Sequence, residues 1–327
     1  MVAQSDSLVL GIDLGGTKIL TAVTNRQGEM LSRDHSVTPA TKGQNAVIQA
    51  IVESVRRAVN QADLSVSDLV AIGIGAPGPS NPQTGILHTS PNLPGWRNVP
   101  IRDIIAQKFG QKAFLINDAN AAALGEFHFG AGRGSCCFIY VTVSTGIGGG
   151  IVLGGKIYTG AAGFAAEIGH MTIEDKGPAC NCGNAGCWEA LASGTALAKE
   201  ARRRITAGET TSILDYAEGD MGKVTPPVIQ QAAEAGDSLA KELLARTSHY
   251  LGTGFANLIN IFNPDVISIG GGVANMGEML LGPAYAVAKK RAFLEAYESV
   301  RFVPAELGRN SGVLGAAAHA LQEIKAR

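Results

Sequence analysis

Residues 8–24 read LVLGIDLGGTKILTAVT, and this stretch sets the class of the chain. Two short apolar runs, 8–14 and 19–24, flank Asp13-Leu14-Gly15-Gly16-Thr17-Lys18. Apolar runs bounded by a Gly-Gly pair predict two strands around a tight turn. Such a turn leaves backbone N–H groups able to cradle phosphate oxygens. Within it Thr17 offers a hydroxyl, Lys18 a positive charge and Asp13 a carboxylate suited to a hydrated Mg2+. An ordinary hairpin explains one such motif equally well. The spacing is not that of a Walker A loop, and the strand that follows excludes a dinucleotide-binding fingerprint.

Outward from this turn, strands and helices alternate. Residues 29–37 predict a third strand, 44–62 a helix with Val47, Ile48, Ile51, Val52, Val55 and Val59 on one face, and 69–76 a buried strand. A helix near 101–109 and a strand at 113–116 follow, then an Ala-rich helix after Asn117-Asp118. The pattern restarts at 137–143, a strand leading into the glycine turn 144–150 and a return strand at 151–158. Helices near 194–207, 226–235 and 237–262 precede a strand at 265–269 that ends in Gly270-Gly271-Gly272. The last helix, about 312–325, is expected to fold back and cap the first half. Both halves thus open with strand, glycine turn, strand, an internal repeat of architecture. The expected class is α/β, with residues 1–118 plus 312–327 as one lobe, 119–311 as the other, and a ligand in the cleft between them.

Composition narrows the functions. The chain has 327 residues, 46 % of them hydrophobic, and a formal charge of 27 − 28 = −1, which gives no hint of nucleic acid or an anionic membrane as partner. The N-terminus has no apolar signal region and no apolar run is long enough to span a bilayer, so a cytoplasmic protein is expected. Glycine is abundant, 42 residues, and without a three-residue period this marks places where backbone turns sharply or approaches something closely.

The second glycine turn, Ser144-Thr145-Gly146-Ile147-Gly148-Gly149-Gly150, has the same setting as the first. Two such turns can clamp a polyphosphate from both sides. The third cluster, 270–272, closes a strand where a nucleotide's base and ribose could pack against backbone. Asn117-Asp118-Ala119-Asn120 ends a strand and opens a helix. Capping accounts for one of its polar residues, and a carboxylate at that place can also act as general base toward a substrate hydroxyl.

His170 is followed by Cys180-Asn181-Cys182-Gly183-Asn184-Ala185-Gly186-Cys187. Three cysteines in a glycine-rich loop, with a histidine upstream, fit a Cys3His zinc site. The C-x-C and C-x4-C spacings differ from the C-x-x-C of a redox pair. Cys136 and Cys137, adjacent on a strand, face opposite ways, so one is expected in the core and neither as a ligand. Glu167 and Glu189 are carried by the metal-pinned loop and are placed to bond a polyol, although either alone reads as a solvated acid.

In their order along the chain, DLGGTK (13–18), NDANAAALGE (117–126), STGIGGG (144–150), EIGH (167–170), CNCGNAGCWE (180–189) and IGGG (269–272) resemble the motifs of the ROK family. That family groups bacterial sugar kinases with sugar-responsive repressors, and the likeness runs from about residue 8 to the last helix. The resemblance implies a two-lobed actin-like ATPase (ribonuclease H-like) fold. It implies Asp118 as general base and sugar contacts from Asn92, Asn117, Glu167, His170 and Glu189. MgATP would be held by Asp13, Gly15, Gly16, Thr17, Lys18, Ser144, Thr145, Gly146, Gly148 and Gly149, with Gly271 and Gly272 on the adenosine side. A structural zinc would sit on His170, Cys180, Cys182 and Cys187. Two positions depart from the family pattern, since Ala166 and Ser144 stand where glycine is usual. No DNA-binding segment precedes the first strand, so a kinase is expected over a repressor. The cysteine spacing and EIGHMTI lean toward glucose as acceptor, with mannose, N-acetylglucosamine and N-acetylmannosamine as alternatives. Family likeness also implies a homodimer or homotetramer.

Overall fold

In the computed structural model, which describes residues 7–90 and 92–325, the opening stretch forms β1 (Leu8–Leu14) and β2 (Lys18–Thr24), antiparallel as the glycine turn requires. After β3 (Met30–Val37), helix α1 (Gln44–Gln61) leads back to β4 (Leu69–Ala76), which runs parallel to β1. Three short strands follow, β5 (Ser80–Asn81), β6 (Ile86–Thr89) and β7 (Arg97–Val99), which form a small sheet of their own. Helix α2 (Ile101–Phe109), β8 (Ala113–Asn117) and α3 (Asp118–Phe129) complete this part. The first sheet has the order β3-β2-β1-β4-β8, with β1, β4 and β8 parallel.

The restart is equally clear. β9 (Cys137–Val143), β10 (Ile147–Leu153) and β11 (Lys156–Ile157) are followed by α4 (Trp188–Ala192), α5 (Gly194–Thr206), α6 (Ile213–Tyr216), α7 (Pro226–Glu234) and the long α8 (Ser238–Phe262). Then come β12 (Val266–Gly270), α9 (Glu278–Arg291), α10 (Leu294–Ser299), β13 (Arg301–Pro304) and α11 (Ser311–Lys325). The second sheet has the order β11-β10-β9-β12-β13. Counting strands within each sheet, both read third, second, first, fourth, fifth, so the repeat of architecture extends to strand order. Two details differ from the sequence reading. β10 starts at Ile147, so the second glycine turn is confined to 144–146 and Gly148 and Gly149 lie in a strand; the return strand breaks at Gly154-Gly155. Cys136 is exposed and Cys137 half-buried, so neither supplies core.

The chain divides into two compact units, one of residues 1–140, 150–166 and 305–327 and the other of 141–149 and 167–304. In the first unit the period of two along β1 sorts side chains cleanly. Leu10, Ile12 and Leu14 join Val47, Ile51 and Val55 of α1 in the main core. Val9, on the opposite face, packs with Ala317 and Ala320 of α11, while Leu20 and Ala22 of β2 meet Val313 and Leu314. The last helix therefore covers the second face of the first sheet. In the second unit Trp188 is buried edge-on to Phe255 at 5.6 Å, and its indole N–H donates to the Tyr250 carbonyl at 2.9 Å, which anchors α4 to α8.

Candidate active site

The parallel strands β1, β4 and β8 end together. Asp13 pairs with Gly75 and Ala76 with Asn117, so Asp13, the β4 exit and Asn117-Asp118 lie along one carboxyl edge. In α/β sheets that edge is where ligands bind. Asn117 caps α3, its Oδ1 accepting from the N–H groups of Ala119 at 2.9 Å and Asn120 at 3.1 Å. Capping thus uses Asn117, and Asp118 is the next residue, half-buried in the first turn of the helix. Its Oδ1 accepts from the Ala119 N–H at 2.9 Å, in the positive end of the helix dipole.

The first glycine turn is closed by Gly15 N–H donating to the Lys18 carbonyl at 2.9 Å, and Thr38 Oγ1 donates to the Gly15 carbonyl at 2.7 Å. A Cβ on Gly16 would lie 2.5 Å from that of Asn92, so the turn and this expected sugar contact touch. Desolvation pushes the Asp13 carboxyl up to about 6, with the Lys18 charge acting against the rise. A carboxylate held this way gains from a nearby cation. Sequence reasoning missed Thr38 and Gly312; a Cβ on Gly312 would come within 2.7 Å of Asp13 Oδ2. The only sequence signal for the second was a glycine at the start of an Ala-rich helix.

Within the second unit, the turn 144–146 is bound to its neighbours through backbone. Gly194 N–H donates to the Ser144 carbonyl at 2.8 Å and Thr195 N–H to that of Thr145 at 3.2 Å. Glu189 Oε2 accepts from the Ile147 N–H at 2.9 Å, and a Cβ on Gly146 would sit 2.2 Å from that oxygen. Gly271 has φ +95°, and a Cβ there would lie 2.3 Å from the Val143 carbonyl oxygen. The glycine cluster after β12 and the second turn are therefore adjacent, as a shared nucleotide site requires. Partial burial raises the Glu167 carboxyl, the His170 ring holds it back, and the Glu189 charge adds to the rise. These three expected sugar contacts thus feel one another.

His170, Cys180, Cys182 and Cys187 converge, with one donor atom from each lying within 4.8 Å of the rest. Cys182 Sγ is 3.7 Å from Cys187 Sγ, and Cys180 Sγ is 3.7 Å from His170 Nδ1. Tetrahedral zinc with Zn–S of ~2.3 Å sets thiolates about 3.8 Å apart, so the donor set has the span of such an ion. Burial and the neighbouring thiols push the Cys187 thiol up to about 12, so a thiolate there needs a bound cation. Because Nδ1 faces the sulfurs, Nε2 of the same ring is the atom left for a sugar hydroxyl. Ala166 has φ +68°, the left-handed region that glycine adopts without strain, which gives a physical reason for the glycine usual at this position.

The ROK family model matches residues 9–323. A glucokinase of Thermotoga maritima is 38 % identical over 312 residues, 94 % of this chain and 96 % of that protein. A xylose repressor of Caldicellulosiruptor bescii is 32 % identical over 97 % of this chain and 78 % of its own length. Among solved structures, a ROK family glucokinase from Streptomyces griseus in complex with glucose and AMPPNP superposes with a TM-score of 0.80 at 35 % identity, covering 96 % of this chain and 99 % of that one.

Proposed function

The chain belongs to the ROK family and has its α/β actin-like ATPase fold, and from that premise we propose that it phosphorylates glucose with ATP, giving glucose 6-phosphate. One observation carries the kinase reading: Asp13 and Asn117-Asp118 end parallel strands on a single sheet edge, with Asp118 held in the first turn of α3. Glucose as the acceptor is supported by the likeness to glucokinases over nearly the whole chain. A sugar-responsive regulator is the other class in the family, and the match to a repressor is weaker, at 32 % identity.

In this reading Asp118 takes the proton from the sugar's 6-hydroxyl as that oxygen attacks the γ-phosphorus in line. The backbone N–H groups of Gly16 and Thr17 in the first turn and of Thr145 and Gly146 in the second, with Lys18, hold the phosphates, and Gly271 and Gly272 face the adenosine. Mg2+, when bound beside Asp13, offsets charge that develops on the phosphoryl oxygens. Asn92, Asn117, Glu167, His170 Nε2 and Glu189 orient the sugar. A structural zinc on His170, Cys180, Cys182 and Cys187 fixes the loop that carries three of these. We assign the protein to the cytoplasm and to a homo-oligomer, a dimer or tetramer; among the described residues no helix is long and apolar enough to cross a membrane.

Asp118→Asn keeps the size and capping ability of the side chain and removes the base. The expected result is a fall in kcat of at least ~10²-fold with an unchanged melting temperature, read in an ATP-coupled assay across glucose, mannose and the N-acetylhexosamines. Turnover near that of the wild type would overturn the assignment of Asp118. No phosphorylation of any of these sugars by the wild type would overturn the kinase reading itself.

A further inference from the structure

The first unit holds a cavity of about 380 Å³ that shares no residue with the sets assigned to sugar, nucleotide or zinc. Its volume falls in the range of small-molecule sites. It is lined by Arg26 from the β2–β3 turn, His128 and Phe129 at the end of α3, Arg133 from the loop after α3, and Gln322 and Lys325 of α11. Among the described residues no acidic side chain is in this lining. Glu29, on the same turn as Arg26, accepts from Asn25 Nδ2 at 2.6 Å. Among the described residues, the one carboxylate that forms an ion pair with a lining cation is that of Glu306, 3.4 Å from Arg133, in a pair whose side chains are more than half exposed.

A cation in the last turn of α11 is expected from the helix dipole, which accounts for Lys325. It does not account for Arg26 and Arg133, which come from two separate loops to the same cavity. Arg26 Nη2 donates to Ser7 Oγ at 2.8 Å, which steadies the guanidinium without neutralising it. Gln322 Nε2 donates to the Gly155 carbonyl at 3.0 Å and to His128 Nε2 at 2.8 Å, so the imidazole accepts there and is neutral. Burial, and after it the Lys325 charge, push His128 below the ordinary histidine range. Like charges brought together cost free energy that a bound anion offsets, and the exposed Glu306 answers only Arg133.

We propose that this cavity binds the phosphoryl group of a small phosphate-bearing metabolite, with Arg26, Arg133 and Lys325 as its charge partners. Guanidinium groups suit such a ligand, because their planar donors match phosphate oxygens in pairs. Gln322 Oε1, its Nε2 being already engaged, is left for an organic portion, and the half-buried Phe129 ring lines the same cavity.

The test is calorimetric titration of the whole protein, with its catalytic site filled by glucose, Mg2+ and AMPPNP, using glucose 6-phosphate in one arm and inorganic phosphate in the other. The expected result is about one further site per chain for at least one probe, weakened at least about tenfold in Arg26→Ala/Arg133→Ala, with kcat unchanged in that variant. Lys325→Ala, on an exposed residue near the chain end, gives the same test without touching either loop. The arm that binds tells whether the sugar portion contributes. No binding of either probe to the filled enzyme, or binding that none of these substitutions weakens, overturns the proposal.

Discussion

Asp13 and Ala166 show how much of the site is decided by single residues. The Asp13 carboxyl titrates near 6 in the folded protein, against 3.8 in an open chain. Because the folded state holds this proton more tightly, Asp13 makes the ligand-free protein less stable as pH rises from about 4 to 6. A cation needs the carboxylate, so the sign reverses for binding. Mg·AMPPNP affinity should weaken as pH falls below about 6, approaching tenfold per unit, and Asp13→Asn should remove that part of the dependence. Titrations at pH 5, 6 and 7, corrected for protonation of the nucleotide, check this; equal slopes in wild type and variant would refute it. At Ala166 the left-handed backbone costs an alanine about 1–2 kcal/mol, and glycine would give back about 0.5–1 in the unfolded chain. Ala166→Gly should therefore raise stability by a few tenths to about 1 kcal/mol in a thermal melt, and a drop would show that the strain lies elsewhere.

At the scale of elements, the glycines do more than form turns. A Cβ on Gly11 would lie 2.1 Å from the Val313 carbonyl oxygen, one on Gly73 1.8 Å from that of Ala316, and one on Gly315 1.6 Å from that of Ala121. Helix α11 is thus seated on β1, β4 and α3 with backbone against backbone. The sequence made the turns legible, because apolar runs on both sides of Gly-Gly leave little choice. It did not reveal this seating, since a glycine inside a strand or helix says that something comes close without naming the partner. Other elements escaped for different reasons. Strands β5 to β7 have two to four residues, too few to display a period, and α9 carries an internal Pro283 that reads as a break. The site was legible wherever chemistry and spacing coincide, as in the cysteine loop, and illegible where a backbone carbonyl or Thr38 supplies the support. Gly315→Ala must displace α3, whose first turn holds Asp118. We expect a loss of several kcal/mol, in the upper range for overpacking of about 1–3 kcal/mol or more, seen as a lower melting temperature together with a reduced kcat. An unchanged melting temperature would mean that the two helices separate without cost.

For the molecule as a whole, the four residues proposed to hold zinc all belong to one of the two units. His170, Cys180, Cys182 and Cys187 lie within 167–304, whereas the core built on β1, α1 and α2 belongs to the other. The tip of the cysteine loop contributes little apolar burial, since Cys182, Gly183 and Asn184 are exposed, so a metal on the four donors would add to the backbone hydrogen bonds that close it, such as Cys180 N–H to the Asn184 carbonyl at 2.7 Å. Ligand binding stabilises only the state that binds it. Removing the metal should therefore weaken the unit that carries the loop and leave the first unit's own core intact. Differential scanning calorimetry with and without a strong chelator is expected to show a transition that moves to lower temperature while a second stays in place. Elemental analysis should give about one zinc per chain, lost together with glucose phosphorylation in Cys182→Ser. A protein that is free of metal yet fully active would remove the zinc from the site. If chelation shifted a single transition as one, the ion would be supporting both units. The four points where the chain passes from one unit to the other, at 140/141, 149/150, 166/167 and 304/305, would then be the couplings to examine. The third of these follows Ala166, whose backbone is left-handed, so combining Ala166→Gly with chelation would show whether strain at that crossing and the metal loop act on one another or add independently.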